Sequence, residues 1–152
     1  TAILSRWPIL KFENHPLPTP EKEEPRGCLV AEIDVEGTTL QVLCTHWGLC
    51  PSQRKQQSVA TLKLLGVGPL VLAGDFNEDT GAAGLQGLME KLPHSYDENE
   101  LPRSYPTPGA EKRIDYIFYR GLELKGHAAV LDTPDTQVAS DHFPVLAIFT
   151  TP

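Results

Sequence analysis

The feature that most constrains the fold is a short apolar run that ends in a carboxylate and an amide. Residues 70–73 read Leu-Val-Leu-Ala, a run that predicts a strand buried on both faces. Gly74 then allows the chain to turn, so that Asp75 and Asn77 emerge at the carboxyl end of the strand, where α/β sheets bind their ligands. Two residues apart on extended chain, the two side chains point the same way. An Asx turn is the alternative interpretation, and this stretch alone does not choose between the two.

The composition is that of a globular chain with an acidic charge balance. The 152 residues suit a single domain, 40% are hydrophobic and 22% charged, and no apolar run approaches the roughly 20 residues that cross a bilayer. A net charge of −7 disfavours sequence-blind binding to nucleic acid, but it suits a site that holds a divalent cation. The chain opens at Thr1 with an apolar run and no initiator Met, so we expect a fragment or a processed chain.

The three cysteines form no metal or disulfide pattern. Cys28, Cys44 and Cys50 are odd in number and contain no C-x-x-C pair, which argues against a disulfide scaffold and a zinc knuckle. Cys44 lies in an apolar run and is expected to be a buried thiol. This usage fits a reducing compartment, such as the cytoplasm, slightly better than an oxidising one.

Hydrophobic periodicity predicts strands and two helices. The clearest element is a hairpin formed by residues 28–35 and 38–45 around a tight Glu-Gly turn. Further strands are expected at 1–6, 113–119, 122–131 and 143–149, a second helix at 79–92, and proline-rich loops at 11–26 and 93–112.

The first helix is expected from Ser52, acting as its N-cap, to about residue 65. Arg54 and Gln57 lie in its first turns, from where they could reach back toward the loop after His46. Its inner face would consist of Val59, Leu62 and Leu65.

Six polar side chains interrupt or end the apolar strands, and they are the candidate functional residues: His46, Asp75, Asn77, Asp115, Asp141 and His142. Asp115 lies within an alternating strand, on the face shared with Ile117 and Tyr119. Burying a carboxylate costs several kcal/mol unless it has a partner, and an imidazole could be that partner. A base oriented by a carboxylate, further carboxylates for a cation and donors for an oxyanion suit metal-assisted attack of water on phosphorus.

Five short motifs, in order along the chain, resemble those of the endonuclease/exonuclease/phosphatase superfamily, the DNase I-like metal-dependent phosphoesterases. They are residues 3–6 (ILSR), Thr45-His46, residues 74–77 (GDFN), residues 113–118 (RIDYIF) and residues 140–145 (SDHFPV). The resemblance implies an α/β fold, a four-layered sandwich of two packed, mainly antiparallel β-sheets flanked by helices. It also implies a Mg²⁺-dependent hydrolase of phosphoester bonds, of the phosphodiesterase or nuclease type, with Mn²⁺ as the alternative cation.

The resemblance also implies a role for each candidate residue. Asp75 and Asn77 contact the reacting water and phosphate, and Asp75 is our choice for the base. Asp141 serves metal binding or proton handling, and in the first case Asp75 and Asn77 join it in holding the metal. His142 contacts or protonates the phosphate oxygens. Asp115 would orient His142, which gives the buried carboxylate its partner.

The chain departs from the family pattern at two places. The family's first strand and the metal-binding Glu of its Leu-Gln-Glu motif are absent, because Thr1 falls after both. An amino-terminal fragment or a second copy would have to supply them, and the chain alone could lack activity. His46 matches a second phosphate-contacting histidine of the family. The next residue is usually aliphatic in the family but is Trp47 here, and we expect Trp47 to pack in the core.

Other functions remain open on the sequence. A non-catalytic scaffold domain could retain the fold, whereas a zinc hydrolase using His46 and His142 is disfavoured because no H-x-x-x-H or Cys-His spacing occurs. A phosphoester substrate is expected, and nucleic acid stays open as a partner, though not through a strongly basic surface, since no run of Lys or Arg is present.

Several remaining charged residues are expected to be structural or solvated. Arg113 should form a surface ion pair, and Glu78 and Asp79 should be first-turn acids of the second helix. Solvated positions are expected for His15, His94 and His127.

Overall fold

A five-stranded mixed sheet forms the centre of the fold, and its strands lie side by side in chain order. The structure is a computed structural model that describes residues 1–97, 99–100 and 102–151. The strands are β1 (Ile9–Leu17), β2 (Arg26–Val35), β3 (Thr38–His46), β4 (Leu70–Asp75) and β5 (Asp115–Arg120). Neighbours are antiparallel except β3 and β4, which are parallel because helix α1 (Pro51–Leu62) crosses between them. The predicted hairpin, which is β2 and β3, is confirmed.

Shorter elements complete the α/β fold predicted from the sequence. Helix α2 (Ala83–Met89) follows β4, and α3 (Thr136–Ala139) lies near the end of the chain. Two small antiparallel sheets pair β6 (Glu123–Leu124) with β9 (Phe149–Thr150) and β7 (Ala129–Val130) with β8 (Val145–Leu146). Within the described residues, no helix combines the length and hydrophobicity needed to cross a bilayer.

The main core includes one face of the central sheet and helix α2. Leu43, Leu72 and Phe118, on adjacent strands, are completely buried in the same cluster as Leu85 and Leu88 of α2. Burial of these side chains supplies the main favourable free energy of folding.

The opposite face of the sheet is only half-buried. In β4, Leu70 and Leu72 are fully buried, but Val71 and Ala73 between them are not. The prediction that this strand is buried on both faces is therefore wrong. Cys44 is half-buried for the same reason, because it alternates with buried neighbours along β3.

Phe76, which lies between Asp75 and Asn77, packs its ring in the core. Its ring lies 4.8 Å from the Trp47 ring and 5.4 Å from the Phe118 ring, both in edge-to-face geometry. Trp47 is completely buried, so its predicted packing in the core is confirmed. These contacts fix the backbone on both sides of Phe76, at Asp75 and at Asn77.

The first strand does not lie where the sequence predicted it. Residues 1–6 form no strand, and β1 (Ile9–Leu17) instead overlaps the segment 11–26 that was expected to be a proline-rich loop. This is possible because β1 pairs only with β2, and an edge strand tolerates Pro16 without losing a ladder hydrogen bond on its open side. His15, expected to be solvated, is half-buried in this strand.

The first helix is confirmed, but its cap is not the predicted residue and its predicted inner face is confirmed only in part. Cys50 rather than Ser52 occupies the N-cap position, and Val59 is 51% exposed, whereas Leu62 and Leu65 pack against the core and are partly buried. The buried face is polar because it hydrogen-bonds the loop after β3, as when Gly48 N donates to Gln57 Oε1 at 2.7 Å. Its buried residues are Gln53, Gln57, Ser58 and Thr61.

Three other predicted elements are shorter than expected. Helix α2 begins only at residue 83 because Gly81, with φ of 86°, adopts a left-handed conformation that a helix cannot include. The predicted strand 122–131 is divided at Gly126, which has φ of 73°. The predicted strand 143–149 is divided as well, because its two halves pair with different partners.

Candidate active site

Strand register brings three candidate residues together at one end of the central sheet. Asp75, the last residue of β4, lies beside His46 of β3 on one side and beside Asp115 of β5 on the other. Side chains of directly paired residues are neighbours on the sheet. Residues 69 positions apart in sequence therefore meet at a single strand end.

Gly74 permits the close approach of β3 and β4 next to the site. A Cβ atom at this position would lie 2.0 Å from the carbonyl oxygen of Thr45, so a larger residue does not fit. The predicted role of Gly74 as a turn residue is wrong, because it lies inside β4 and the turn follows Asp75.

Asp75 and Asn77 form an Asx turn and also line the same cleft. Asn77 N–H donates to Asp75 Oδ1 at 2.7 Å, and Asn77 Nδ2 donates to the carbonyl oxygen of Trp47 at 2.9 Å. Asn77 has φ of 51°, a left-handed conformation that asparagine tolerates better than most residues. The two interpretations of this stretch are thus compatible.

Asp115 has the imidazole partner that its burial demanded. Its Oδ2 atom lies 2.8 Å from Nδ1 of His142 and accepts a second hydrogen bond from Ser104 Oγ at 2.6 Å. Tyr96 donates its hydroxyl to the Asp115 carbonyl oxygen at 2.9 Å. The carboxylate is therefore held by two side chains and the backbone of Asp115 by a third, and the carboxylate fixes which ring nitrogen of His142 faces it.

Two imidazoles converge on one oxygen of Asp75. Oδ2 of Asp75 lies 3.3 Å from Nε2 of His46 and 3.9 Å from Nε2 of His142. The Asp75 side chain is only 16% exposed. The arrangement is a chain of acid, base and acid, running from Asp115 through His142 to Asp75.

The pKa values of Asp75, His46 and His142 are all shifted. Burial, reinforced by repulsion from Asp115, raises the pKa of Asp75 although the Asn77 N–H and the histidines oppose the change. Burial lowers the pKa of His46 despite the nearby Asp75 charge. Burial would also lower the pKa of His142, but the hydrogen bond and charge of Asp115 outweigh it, so the pKa is raised.

The site lies in a cleft of about 670 Å³, which also contains residues that the sequence analysis missed. The ring of Tyr105 lies 4.7 Å from the His142 ring, and Leu49 on the rim is 73% exposed. Arg26 and Lys112 add two cations to the lining. No sequence signal marked these four residues, and Arg26 lay within the predicted loop 11–26 because the start of β2 was expected at residue 28.

One of the residues predicted to hold a metal belongs to a group of acid and histidine ligand atoms. Within the described residues, one ligand atom each of Asp75, Asp115 and His142 lie within 4.8 Å of one another. Asp141 lines the same cleft but stands outside this group, and the amide Asn77 lines the cleft as well. Asp141 is exposed.

Two charged residues expected at the surface are buried beside the site. Arg113 is 2% exposed, and its guanidinium donates from Nε to Thr80 Oγ1 at 3.1 Å and lies 5.0 Å from the centre of the Tyr96 ring. Glu78 is 5% exposed and pairs with Arg54 at 2.7 Å. The predicted surface pair of Arg113 is therefore wrong. Glu78 and Asp79 are not first-turn acids either, because α2 begins only at residue 83.

The remaining predicted solvent-exposed histidines behave differently from each other. His127 is exposed and lies 3.6 Å from Asp97. His94 is half-buried, with its ring 6.4 Å from the Phe118 ring.

Comparison with known families identifies the chain. Residues 1–142 match the model of a family described as "Endonuclease/Exonuclease/phosphatase family". The chain belongs to this family. The resemblance predicted from five short motifs is confirmed.

Relatives of this endonuclease/exonuclease/phosphatase family chain are longer proteins. Protein cwh43 of Schizosaccharomyces pombe is 28% identical over 156 residues, which covers 95% of this chain and 14% of that protein. A UPF0294 protein of Vibrio vulnificus is 30% identical over 140 residues, which covers 84% of this chain and 46% of that protein. The chain thus spans less than half the length of either relative.

Solved structures of low sequence identity share the family fold. A conserved protein of unknown function from Enterococcus faecalis has a TM-score of 0.80 at 24% identity, covering 95% of this chain and 67% of that chain. A Bacteroides thetaiotaomicron mannosyl-6-phosphatase has a TM-score of 0.76 at 21% identity, with the same coverage. D. rerio TDP2 complexed with a single-strand DNA product has a TM-score of 0.74 at 21% identity, covering 94% of this chain and 68% of that one.

Proposed function

We propose that the protein hydrolyses a phosphoester bond by attack of water on phosphorus in the cleft around Asp75. The observation that carries the proposal is the convergence of His46 and His142 on Asp75 Oδ2, with Asp115 bound to the far side of the His142 ring. Family membership supports it, and so do the names of two structural neighbours, a mannosyl-6-phosphatase and TDP2.

Asp75 is the proposed general base. Its raised pKa brings the carboxylate closer to neutral pH, where a base takes a proton from water more effectively. One oxygen is engaged by the Asn77 N–H, so Oδ2 is the atom for proton transfer. The backbone on both sides of Asp75 is paired, which keeps that oxygen oriented.

The two histidines are the proposed contacts to the phosphate oxygens. Because Asp115 faces Nδ1 of His142, Nε2 is the atom that can donate to phosphate or to the leaving oxygen. The raised pKa of His142 favours its protonated, donating form, while the lowered pKa of His46 favours a neutral ring. Donors fixed in place before the reaction stabilise the developing negative charge.

The cleft residues fit a divalent cation. Asp75 and Asp141 would supply carboxylate oxygens, and Asn77 would supply Oδ1, because its Nδ2 donates to the Trp47 carbonyl oxygen. Mg²⁺ is usually held by one or two carboxylates together with waters and substrate phosphate, and Mn²⁺ accepts similar ligands. When bound, the cation would neutralise charge on the phosphoryl oxygens.

The experiment is a substrate panel assayed with the full-length protein and Mg²⁺ or Mn²⁺. The panel contains abasic DNA, single-stranded DNA, bis-p-nitrophenyl phosphate, inositol phosphates, a sugar phosphate and sphingomyelin. The variants are Asp75→Asn and His142→Gln, and the matched control is Asp97→Asn, which alters an acid and histidine pair outside the cleft.

We expect the wild type to hydrolyse at least one substrate and both site variants to lose about 100-fold or more in kcat, as for loss of general acid or base catalysis. The control should retain the wild-type rate. A folded wild type that binds Mg²⁺ and substrate but turns over nothing would contradict the proposal and favour the scaffold alternative. So would site variants with the activity of the control.

A further inference from the structure

We infer that the buried ion pair between Arg54 and Glu78 is a positioning clamp, which holds the loop carrying His46 against the turn carrying Asn77. The inference rests on the proposed function, because a clamp on these loops affects catalysis only if the cleft is the active site. Neither residue lines the cleft.

The pair joins two segments that come from different parts of the chain. Arg54 lies in the first turn of α1, and Glu78 directly follows Asn77. Nε of Arg54 donates to Oε1 of Glu78 at 2.7 Å, and the side chains are only 12% and 4% exposed. A charged hydrogen bond of this length in a site shielded from water is a strong one.

Arg54 also binds the backbone of the loop that follows His46. Its Nη1 donates to the carbonyl oxygen of Leu49 at 2.6 Å and to that of Gly48 at 3.3 Å. One guanidinium group therefore contacts the loop and the Glu78 carboxylate at once, a geometry that suits the planar fork of arginine.

A second tie joins the same two segments on the side of the cleft. Asn77 Nδ2 donates to the carbonyl oxygen of Trp47, the residue next to His46. Gln57 of α1 accepts from Gly48 N. The loop is thus held at Trp47, Gly48 and Leu49, each time by a polar side chain from α1 or from the turn after β4.

Gly84, the second residue of α2, provides space for the clamp. A Cβ atom there would lie 2.4 Å from Oε2 and 2.8 Å from Cδ of Glu78, so a larger residue would displace the carboxylate. Buried ion pairs are weak contributors to stability and are better attested as devices that specify one geometry. The Arg54–Glu78 pair joins the loop after His46 to the turn that carries Asn77, so we assign it this role of specifying one geometry.

The test measures catalysis and local structure in four variants. Glu78→Gln and Arg54→Gln each break the charge pair, and the double variant removes both charges, so that no buried charge is left alone. Arg54→Lys keeps the charge but not the fork. The matched control is Gln41→Leu, which removes hydrogen bonds to Leu64 O and from Gly66 N beyond the carboxyl end of α1, away from the cleft.

All proteins are compared below the onset of unfolding, with kcat and KM measured separately and with NMR signals of the His46 ring and the Asn77 side-chain amide recorded. We expect each Gln variant and the double variant to lose about 10- to 100-fold in kcat with KM changed less than about threefold, because a misplacement of about 1 Å can cost about 100-fold. Arg54→Lys should recover part of kcat. The His46 and Asn77 signals should shift, and the control should match the wild type.

The clamp is wrong if the folded Arg54 and Glu78 variants keep the wild-type kcat and NMR signals, or if their losses equal that of Gln41→Leu. The proposed function fails separately, when the wild type itself hydrolyses nothing. In that case the NMR signals alone still test the clamp, since a displaced loop moves them whether or not the cleft is catalytic.

Discussion

Replacement of Asp115 by asparagine tests how much the negative charge of Asp115 contributes to its hydrogen bond with His142. Ser104 Oγ and His142 Nδ1 both bond the same atom, Asp115 Oδ2, at 2.6 and 2.8 Å. An asparagine whose amide oxygen takes that position can keep both hydrogen bonds while losing the charge. Asp115→Ala removes the acceptor as well, so the two variants separate charge from contact.

The expected loss of kcat follows from the type of hydrogen bond that is changed. The His142 and Asp115 side chains are 25% and 20% exposed, so the pair is largely shielded from water. A hydrogen bond to a charged group contributes about 1.5–3 kcal/mol and a neutral one about 0.5–1.5 kcal/mol, so Asp115→Asn removes roughly 1–1.5 kcal/mol. If the bond is fully expressed in the transition state, kcat falls about 5- to 12-fold in Asp115→Asn and about 10- to 150-fold in Asp115→Ala.

The same substitution changes how stability depends on pH. Burial lowers the pKa of His142, but Asp115, Asp75 and Asp141 together raise it above the ordinary value of 6.5. A histidine whose folded pKa is raised adds stability that is fully present below pH 6.5 and is lost as the pH rises through the folded pKa. Asp115→Asn should therefore lower the pKa of His142 and reduce the free energy of unfolding most under acidic conditions.

Two measurements check this reasoning. NMR titration of the His142 ring gives its pKa, and urea denaturation at several pH values gives the free energy of unfolding. Ser104→Ala is the matched control, because it removes a bond to the same oxygen but keeps the charge, so the pKa of His142 should stay raised. An unchanged His142 pKa in Asp115→Asn, or a stability loss that grows with pH, would refute the account of the pair.

Three further predictions follow from the geometry around the site. Burial raises the pKa of Asp75 above 3.8, so ionisation of this carboxyl group destabilises the fold. Asp75→Asn should therefore raise Tm at neutral pH, measured by calorimetry without divalent cations, and a lower Tm would contradict this. The same variant should lose hydrolysis when it is assayed with the cation. Gly74→Ala should cost at least about 2 kcal/mol in chemical denaturation, because the added methyl group meets the Thr45 carbonyl, and a cost near zero would show that β3 and β4 separate easily. Burial raises the pKa of Cys28 to about 12, whereas Cys50 is exposed with a lowered pKa, so mass spectrometry after brief alkylation should find label on Cys50 and not on Cys28.

The candidate residues that line the cleft stood out in the sequence because polar side chains interrupt or end apolar strands there. Asp115 stands in an alternating apolar strand, and His46 and Asp75 follow apolar runs, so their polarity is conspicuous. These three residues are neighbours because of the strand register. The order of the short motifs along the chain indicated a known fold, and that fold includes this register. The roles assigned to these residues stay predictions.

The polar interior beside the site could not be predicted in the same way. Arg54 and Glu78 lie in segments where charged residues usually face solvent, and only the three-dimensional meeting of α1 with the turn after β4 pairs them. The buried face of α1 was predicted incorrectly at Val59 for a related reason. Hydrophobic periodicity assumes that apolar residues face inward, whereas Gln57 is buried because it hydrogen-bonds the backbone of a loop. Strand β1 was missed because proline was read as a loop signal, although an edge strand accommodates Pro16.

The most direct test of a water attack on phosphorus is the fate of the oxygen atom. Hydrolysis of the best panel substrate is run in water enriched in the heavy oxygen isotope, with wild type and Asp75→Asn, and the products are examined by phosphorus NMR and mass spectrometry. We expect one labelled oxygen in the phosphate product of the wild type, none in the alcohol, and labelled phosphate formed about 100-fold or more slowly by Asp75→Asn. Label in the alcohol, or equal labelled phosphate from both proteins, would contradict this expectation.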